Sequence, residues 1–248
     1  MLSRRGREQH SQYLVEGVRL VEDAMRAGEQ PALIFCVPAA HESPRAEALL
    51  ASAPAAGVPI YEISPAIFAT LSDTVSSQGV VAVMPVPALS PVAGADLVLV
   101  LDQIRDPGNL GTILRSAEAA GVGQVLLTRG CADPWGPKVL RAGMGAHFRL
   151  ALQVDLEWPA IAGLLAGRPL WAADAHGELA YDRVDWTQPA ALVIGGETEG
   201  ISAEASALTR GKIYIPMRGG AESLNAAMAA TVVLFEVARQ RRHSKGAE

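Results

Sequence analysis

Only two cysteines occur among 248 residues, Cys36 and Cys131, far apart in the chain. That spacing excludes a disulfide framework and a cysteine-built zinc site, and leaves a reducing cytoplasm as the expected compartment. The five histidines, His10, His41, His147, His176 and His243, form no ligand-spaced cluster, so no metal is expected. The longest apolar run, AGADLVLVL, is well short of the roughly 20 residues that a bilayer-spanning helix needs. The opening MLSRRGREQHSQYL has arginines but no apolar stretch behind them, so it does not read as a secretory signal. A net charge of −5 argues against a polyanion binder held by bulk charge, though not against a local basic patch. Internal repeats and low-complexity segments are also lacking.

What is present is a globular composition, 50% hydrophobic and 19% charged, in a chain long enough for one large domain or two modest ones. Strand-like and helix-like segments alternate. In YLVEGVRLVEDAMRAG an extended start precedes an amphipathic helix that Gly28 stops. PALIFCVP, VPIYEIS and GVVAVMPVP read as strands. Pro65 stands at a first helical position behind Ser64 as cap. These make a small α/β unit, and the prolines of VPALSPVAGAD, Pro87 and Pro91, mark a linker. The predicted division is a domain at 1–88, a linker at 89–95 and a second domain at 96–248. In the second half, continuous apolar strands (LVLVLDQI, QVLLTR, FRLALQV, PLWAADA, ALVIGG, KIYIPM) alternate with helices. This predicts an α/β fold built on a mostly parallel sheet covered on both faces.

Ligands of open α/β sheets bind beyond the carboxyl ends of strands, and three such ends carry unusual residues. In LDQIRDPGNLGTILRSAEAAG a turn at 106–109 leads into a helix opening near Gly111, with Arg115 and Glu118 on one side of it. A helix start after a glycine turn offers N–H groups to an anion, but the spacing is neither G-x-G-x-x-G nor followed by G-K-[ST], so a nucleotide-phosphate cradle is unsupported. Asn109 reads equally as a helix cap. In ALVIGGETEGIS a buried strand runs into Gly195, Gly196 and Glu197, where glycine permits close backbone approach; a plain turn is the other reading. In IPMRGGAESLNAAM a strand ends before Arg218, and a polar Ser223-Leu224-Asn225 opens a long helix from about Leu224, with Ser223 as candidate cap.

Together, and in this order, the three segments resemble the SpoU-type branch of the SPOUT RNA methyltransferases, the TrmH-like ribose 2′-O-methyltransferases. The resemblance spans roughly residues 96–242. QYLVEGVRLVEDA and LSDTVSSQGVVAV resemble the L30e-like RNA-binding extension of members acting on ribosomal RNA. Thr198, Gly143 and Ala226 depart from the family's common residues without touching the motif positions.

The resemblance implies a C-terminal trefoil knot, S-adenosyl-L-methionine as methyl donor and an RNA ribose 2′-hydroxyl as acceptor, with large-subunit ribosomal RNA as the expected substrate. Transfer RNA, or a non-catalytic RNA-binding role on the same scaffold, are the alternatives. It implies cofactor contacts at Gly195, Gly196, Ile215, Met217 and Leu224, and a catalytic set of Arg115, Asn109, Glu197, Ser223 and Asn225. A guanidinium is almost never neutral near pH 7, so the physical role expected of Arg115 is to stabilise developing alkoxide charge and grip the adjacent phosphate. Lys138, Arg141 and Arg218 are candidate RNA contacts, or solvated charge. Arg4, Arg5 and Arg7 form a basic arm or a frayed terminus. Trp135 is considered for base stacking. A homodimer is expected from the family, with both chains shaping each site; the Ala/Val-rich helix 226–238 has the apolar surface for it.

Overall fold

The computed structural model describes residues 3–72, 74, 76–87 and 94–245. Of the expected linker, only residues 94 and 95 fall within that set. The chain forms two compact units, one of Met1–Ala88 with Asp133–Phe148, the other of Leu89–Ala132 with Arg149–Glu248.

The first unit runs α1 (Arg4–His10), β1 (Gln12–Glu16), α2 (Val18–Arg26), β2 (Leu33–Cys36), α3 (Pro44–Ser52), β3 (Ile60–Glu62), α4 (Pro65–Phe68) and β4 (Val80–Pro85). Its sheet has the order β1-β4-β2-β3, with β4 antiparallel to both neighbours and β3 parallel to β2. Ser64 caps α4 as expected, its hydroxyl accepting from the Ile67 N–H at 3.3 Å. The short EG and QG signatures are scaffolding. Gly17 adopts φ +101°, and the Gln78 amide oxygen accepts from the Val18 N–H at 2.9 Å, capping α2 from a distant loop. The Glu16 carboxylate accepts from the Ser72 and Thr74 hydroxyls, both at 2.6 Å.

The arginine-bearing start is neither a loose arm nor a frayed end. It is the helix α1, capped by Ser3. Arg4 pairs with Glu8, and Arg7 is buried with its guanidinium 2.7 and 2.5 Å from Asp133. Trp135 is likewise buried, its ring 4.8 Å from Tyr13 and 5.8 Å from His147. It packs a core and offers no face to a base. Burial pushes the His147 imidazole down to about 4. These contacts explain why the segment 133–148, read from sequence as part of the second half, belongs to the first unit.

The second unit begins with β5 (Leu97–Asp102), α5 (Pro107–Ala119) and β6 (Gln124–Thr128). After α6 (Pro137–Gly143), a first-unit helix, it continues with β7 (Leu152–Leu156), α7 (Trp158–Leu165), β8 (Leu170–Ala173), β9 (Leu179–Ala180), β10 (Ala190–Gly195), α8 (Ala203–Leu208), β11 (Gly211–Tyr214) and α9 (Ala226–Lys245). The sheet order is β7-β6-β5-β10-β8-β11-β9, parallel at every described pairing. Each residue of β5 and β6 is buried, as befits strands covered on both faces. On one face Val98, Val100, Leu126 and Val193 pack with Ile161 and Leu165 of α7 and Ala205 of α8. Elsewhere α9 packs along α5, and the Ser116 and Thr231 hydroxyls meet at 2.7 Å between the two helices.

Candidate active site

The strand order reverses between β5 and β10, the crevice where α/β sheets bind ligands. Register places Asp102 level with Gly195 there. Asp102 is buried and accepts from the Thr128 hydroxyl at 3.2 Å and the Ser202 N–H at 2.7 Å. One carboxylate therefore ties the ends of β5 and β6 to the loop after β10.

Helix α5 opens earlier than its glycine pattern predicts. Asp106 is its cap, accepting from the Asn109 N–H at 2.7 Å, and Pro107 takes the first position. Asn109 is thus not the cap, and its side chain is free for another task. Loop 196–200 folds back on itself, with a bridge between Gly196 and Gly200. A Cβ at Gly195 would lie 2.2 Å from the Gly200 carbonyl carbon, so glycine is obligatory at 195. Strand β11 stops at Tyr214, and α9 starts at Ala226, two residues later than the pattern suggests. Its cap is Asn225 rather than Ser223: the Asn225 side-chain oxygen accepts from the N–H groups of Ala227 and Met228 at 2.9 and 3.3 Å.

The three strand ends converge on one polar junction. The Asn225 amide donates to the Glu197 carboxylate at 2.6 Å and to the Asn109 side-chain oxygen at 3.0 Å, while the Asn109 amide donates to the same Glu197 oxygen. Asn109 is half-buried; Glu197 and Asn225 are exposed. Surface side chains lose rotamer freedom when held in such a network. The sequence fragments around the junction are far apart, so its assembly depends on the whole sheet.

Two cavities flank the junction. The larger, ≈ 690 Å³, includes Gly195, Gly196, Ile215, Met217, Ser223 and Leu224 in its wall, and so unites the expected cofactor positions with Ser223. Its size falls in the usual ligand range of about 300–1,000 Å³. Met217 and Leu224 are large apolar side chains left exposed there. Lys212 and Asp174 also line it, paired at 2.8 Å, and the Lys212 ammonium holds the Asp174 carboxyl below the usual range. The smaller cavity, ≈ 210 Å³, is lined by residues 103–106, Asn109, the 196–200 loop and Ala226.

Other expected residues stand apart. Arg115 is exposed on α5 with Gly108, Thr112 and Ala119, six residues and about 120° around the helix from Asn109. Glu118 does not join it but accepts from Arg149 at 2.9 Å. Arg218 is exposed in the loop after β11, while Lys138 and Arg141 lie on α6 in the first unit. Sequence reasoning overlooked Asp102 and Arg105. A charged residue ending an otherwise apolar buried strand was the available signal for the first.

Known proteins resemble both parts of the chain. Residues 96–235 match the SpoU rRNA Methylase family and residues 1–82 match the MRM3-like substrate binding domain. The chain is 37% identical to rRNA methyltransferase 3, mitochondrial, of Homo sapiens, across 97% of this chain and 70% of that protein. It is 30% identical to the 23S rRNA (guanosine(2553)-2′-O)-methyltransferase RlmP of Bacillus subtilis, across 95% of this chain and 92% of that protein. Among solved structures, the SpoU methyltransferase AviRb from Streptomyces viridochromogenes in complex with the cofactor AdoMet superposes with a TM-score of 0.88 at 30% identity, covering 97% of this chain and 94% of that one. The chain belongs to the SpoU rRNA methylase family, and its C-terminal sheet has that family's trefoil-knotted α/β fold.

These relatives correct one expectation. The compartment read from the cysteines was the cytoplasm, yet the vertebrate relatives are mitochondrial by name. Cys36 and Cys131 are buried free thiols; they report independence from disulfides, and reducing conditions are not confined to one compartment.

Proposed function

We propose that this chain transfers a methyl group from S-adenosyl-L-methionine to a ribose 2′-hydroxyl of RNA, with large-subunit ribosomal RNA as the substrate class. The observation that carries the reading is the junction of Asn109, Glu197 and Asn225 between two cavities at the switch point of the sheet. The first unit's match to a substrate binding domain supports ribosomal over transfer RNA.

The larger cavity suits the methyl donor. Met217, Leu224 and Ile215 provide apolar surface for a purine, and the strand ends provide main-chain polar groups. Asp174, Glu197, Glu199 and Glu222 outnumber Lys212 in its wall, an acidic lining that favours a sulfonium cation. When bound, the donor supplies an already activated methyl group. The protein's remaining tasks are to align the acceptor oxygen and ease loss of its proton. Asn109 and Asn225 orient the acceptor through amide groups that Glu197 fixes in place. Ser223 and Leu224 hold the wall of the donor cavity, with Gly195 and Gly196 giving the backbone its close approach.

Arg115 stabilises the developing alkoxide and grips a phosphate. Because it projects from the solvent face of α5, away from its own chain's junction, its action fits a homodimer in which it serves a second copy's site. The exposed Met228 and Phe235, seven residues apart on α9, supply an apolar stripe for such an interface. Lys138, Arg141 and Arg218 contribute phosphate contacts. The division into an RNA-binding part before residue 89 and a methyltransferase part after 95 is retained, with 133–148 added to the former.

The test is transfer of labelled methyl from S-adenosyl-L-methionine to unmodified ribosomal RNA, followed by mapping of 2′-O-methyl positions. The expected product is a single modified ribose. Arg115→Ala is expected to cut turnover by about 10³-fold while donor affinity, measured by calorimetry, stays unchanged. Near-normal turnover would end the role given to Arg115.

A further inference from the structure

The smaller cavity has one cationic side chain in its wall, Arg105, among three carboxylates, Asp106, Glu197 and Glu199. Arg105 and Glu199 are both well exposed, at 63% and 64% of their side chains. The guanidinium donates from one nitrogen to the Gln103 amide oxygen at 2.6 Å and to Glu199 at 3.2 Å. The platform beneath is tight. Gln103 sits at φ +55°, the left-handed region, and a Cβ at Gly196 would lie 2.9 Å from the Gln103 carbonyl oxygen. Arg105 thus stands on a rigid turn, yet its charged partner Glu199 is exposed and easily exchanged.

We infer that Arg105 receives the RNA phosphate beside the target ribose, and that Glu199 holds the guanidinium until RNA arrives. This rests on the methyltransferase reading above. A 2′-hydroxyl shares its ribose with the adjoining 3′-phosphate, so a ribose seated at the Asn109–Glu197–Asn225 junction brings a phosphate to the rim of this cavity. The chain carries a net charge of −5, and the rim is otherwise acidic, so a polyanion needs a local cation at that edge. An exposed ion pair is weak, whereas guanidinium and phosphate pair through two parallel hydrogen bonds. Phosphate therefore displaces Glu199 at little cost. Glu199 keeps the rim neutral in the absence of RNA and competes with RNA when it is present.

The two partners of this pair have opposite predicted effects. Methyl transfer to an unmodified large-subunit ribosomal RNA transcript is measured at two salt concentrations for the wild type, Arg105→Ala, Arg105→Lys and Glu199→Gln. Donor affinity is measured separately by calorimetry without RNA. Arg105→Ala is expected to raise the KM for RNA about tenfold and to flatten its salt dependence by about one phosphate contact. Arg105→Lys falls between it and the wild type. Glu199→Gln lowers the KM for RNA severalfold. Donor affinity stays within about twofold in the two Arg105 variants; Glu199 also lines the donor cavity, so its variant is read through the KM for RNA alone. A purely structural latch predicts that Arg105→Ala and Glu199→Gln do the same damage. Shifts of the same sign, no shift in KM for RNA, or a larger shift in the donor affinity of either Arg105 variant would each overturn the inference alone. A wild-type protein that methylates no RNA would overturn the underlying reading.

Discussion

Arg7 of the first unit and Arg105 of the second are set in opposite surroundings. In the first, Arg7 is buried against Asp133 and helps fasten α1 to the segment carrying Trp135 and His147. In the second, Arg105 and Arg218 stay exposed in the loops after β5 and β11, and Arg115 on α5. The stretch RRGRE looks basic, yet two of its three arginines are already paired: Arg4 with Glu8, Arg7 with Asp133. Local charge density thus does not say which cations are already held, or how firmly: the Arg7–Asp133 pair is buried and the Arg105–Glu199 pair exposed.

The contrast is broken most forcefully at Arg7. Arg7→Ala strands a half-closed carboxylate at Asp133 and is expected to cost about 3 kcal/mol of stability, read as a lowered denaturant midpoint. Turnover at low temperature should be little altered. A variant that kept its stability but lost RNA affinity would put Arg7 in the same class as Arg105.

Next in size is an acid effect confined to the first unit. Burial holds His147 neutral, with its pKa at about 4 in place of an ordinary 6.5. The unfolded chain therefore binds more protons between those values, and stability falls as pH drops through that window. The loss is at most about 3 kcal/mol. His147→Leu should flatten stability against pH between about 6.5 and 4. An unchanged slope would mean that the imidazole reaches water in the folded state.

The smallest effect separates the two tasks of Asn225. Asn225→Ala removes the α9 cap and is expected to cost about 1 kcal/mol. Asn225→Asp keeps an oxygen acceptor for the helix N–H groups but places a second carboxylate beside Glu197 and lacks the amide donor. It should melt near the wild-type temperature while methyl transfer falls far below it. Wild-type activity in Asn225→Asp would show that capping alone explains the asparagine.

Much of this architecture was legible. Continuous apolar strands such as LVLVLD foretold the parallel sheet, because strands covered on both faces cannot alternate with polar residues. Ser64 and Pro65 marked α4 correctly. The three strand ends were found through motif residues, but their hydrogen bonds were not, because Asn109, Glu197 and Asn225 meet only through sheet order. Caps were misplaced at two of them. Asp106 took the role allotted to Asn109, and Asn225 that allotted to Ser223, since either polar residue satisfies a one-dimensional pattern. The two-residue β9 left no periodicity to detect. The placement of 133–148 was hidden as well: nothing local in ADPWGPKVLRAGMGAHF says that Trp135 packs on Tyr13. Deleting residues 1–88 would therefore leave that segment without its core.

Because Asn225 both starts α9 and completes the junction, helix growth and site assembly are one event. A nascent polypeptide that has emerged only as far as β11 already owns most of the donor-cavity wall and both partners of the Asn109–Glu197 bond, but lacks the Asn225 amide that joins them. On the function proposed above, the junction is complete only once the final helix has wound.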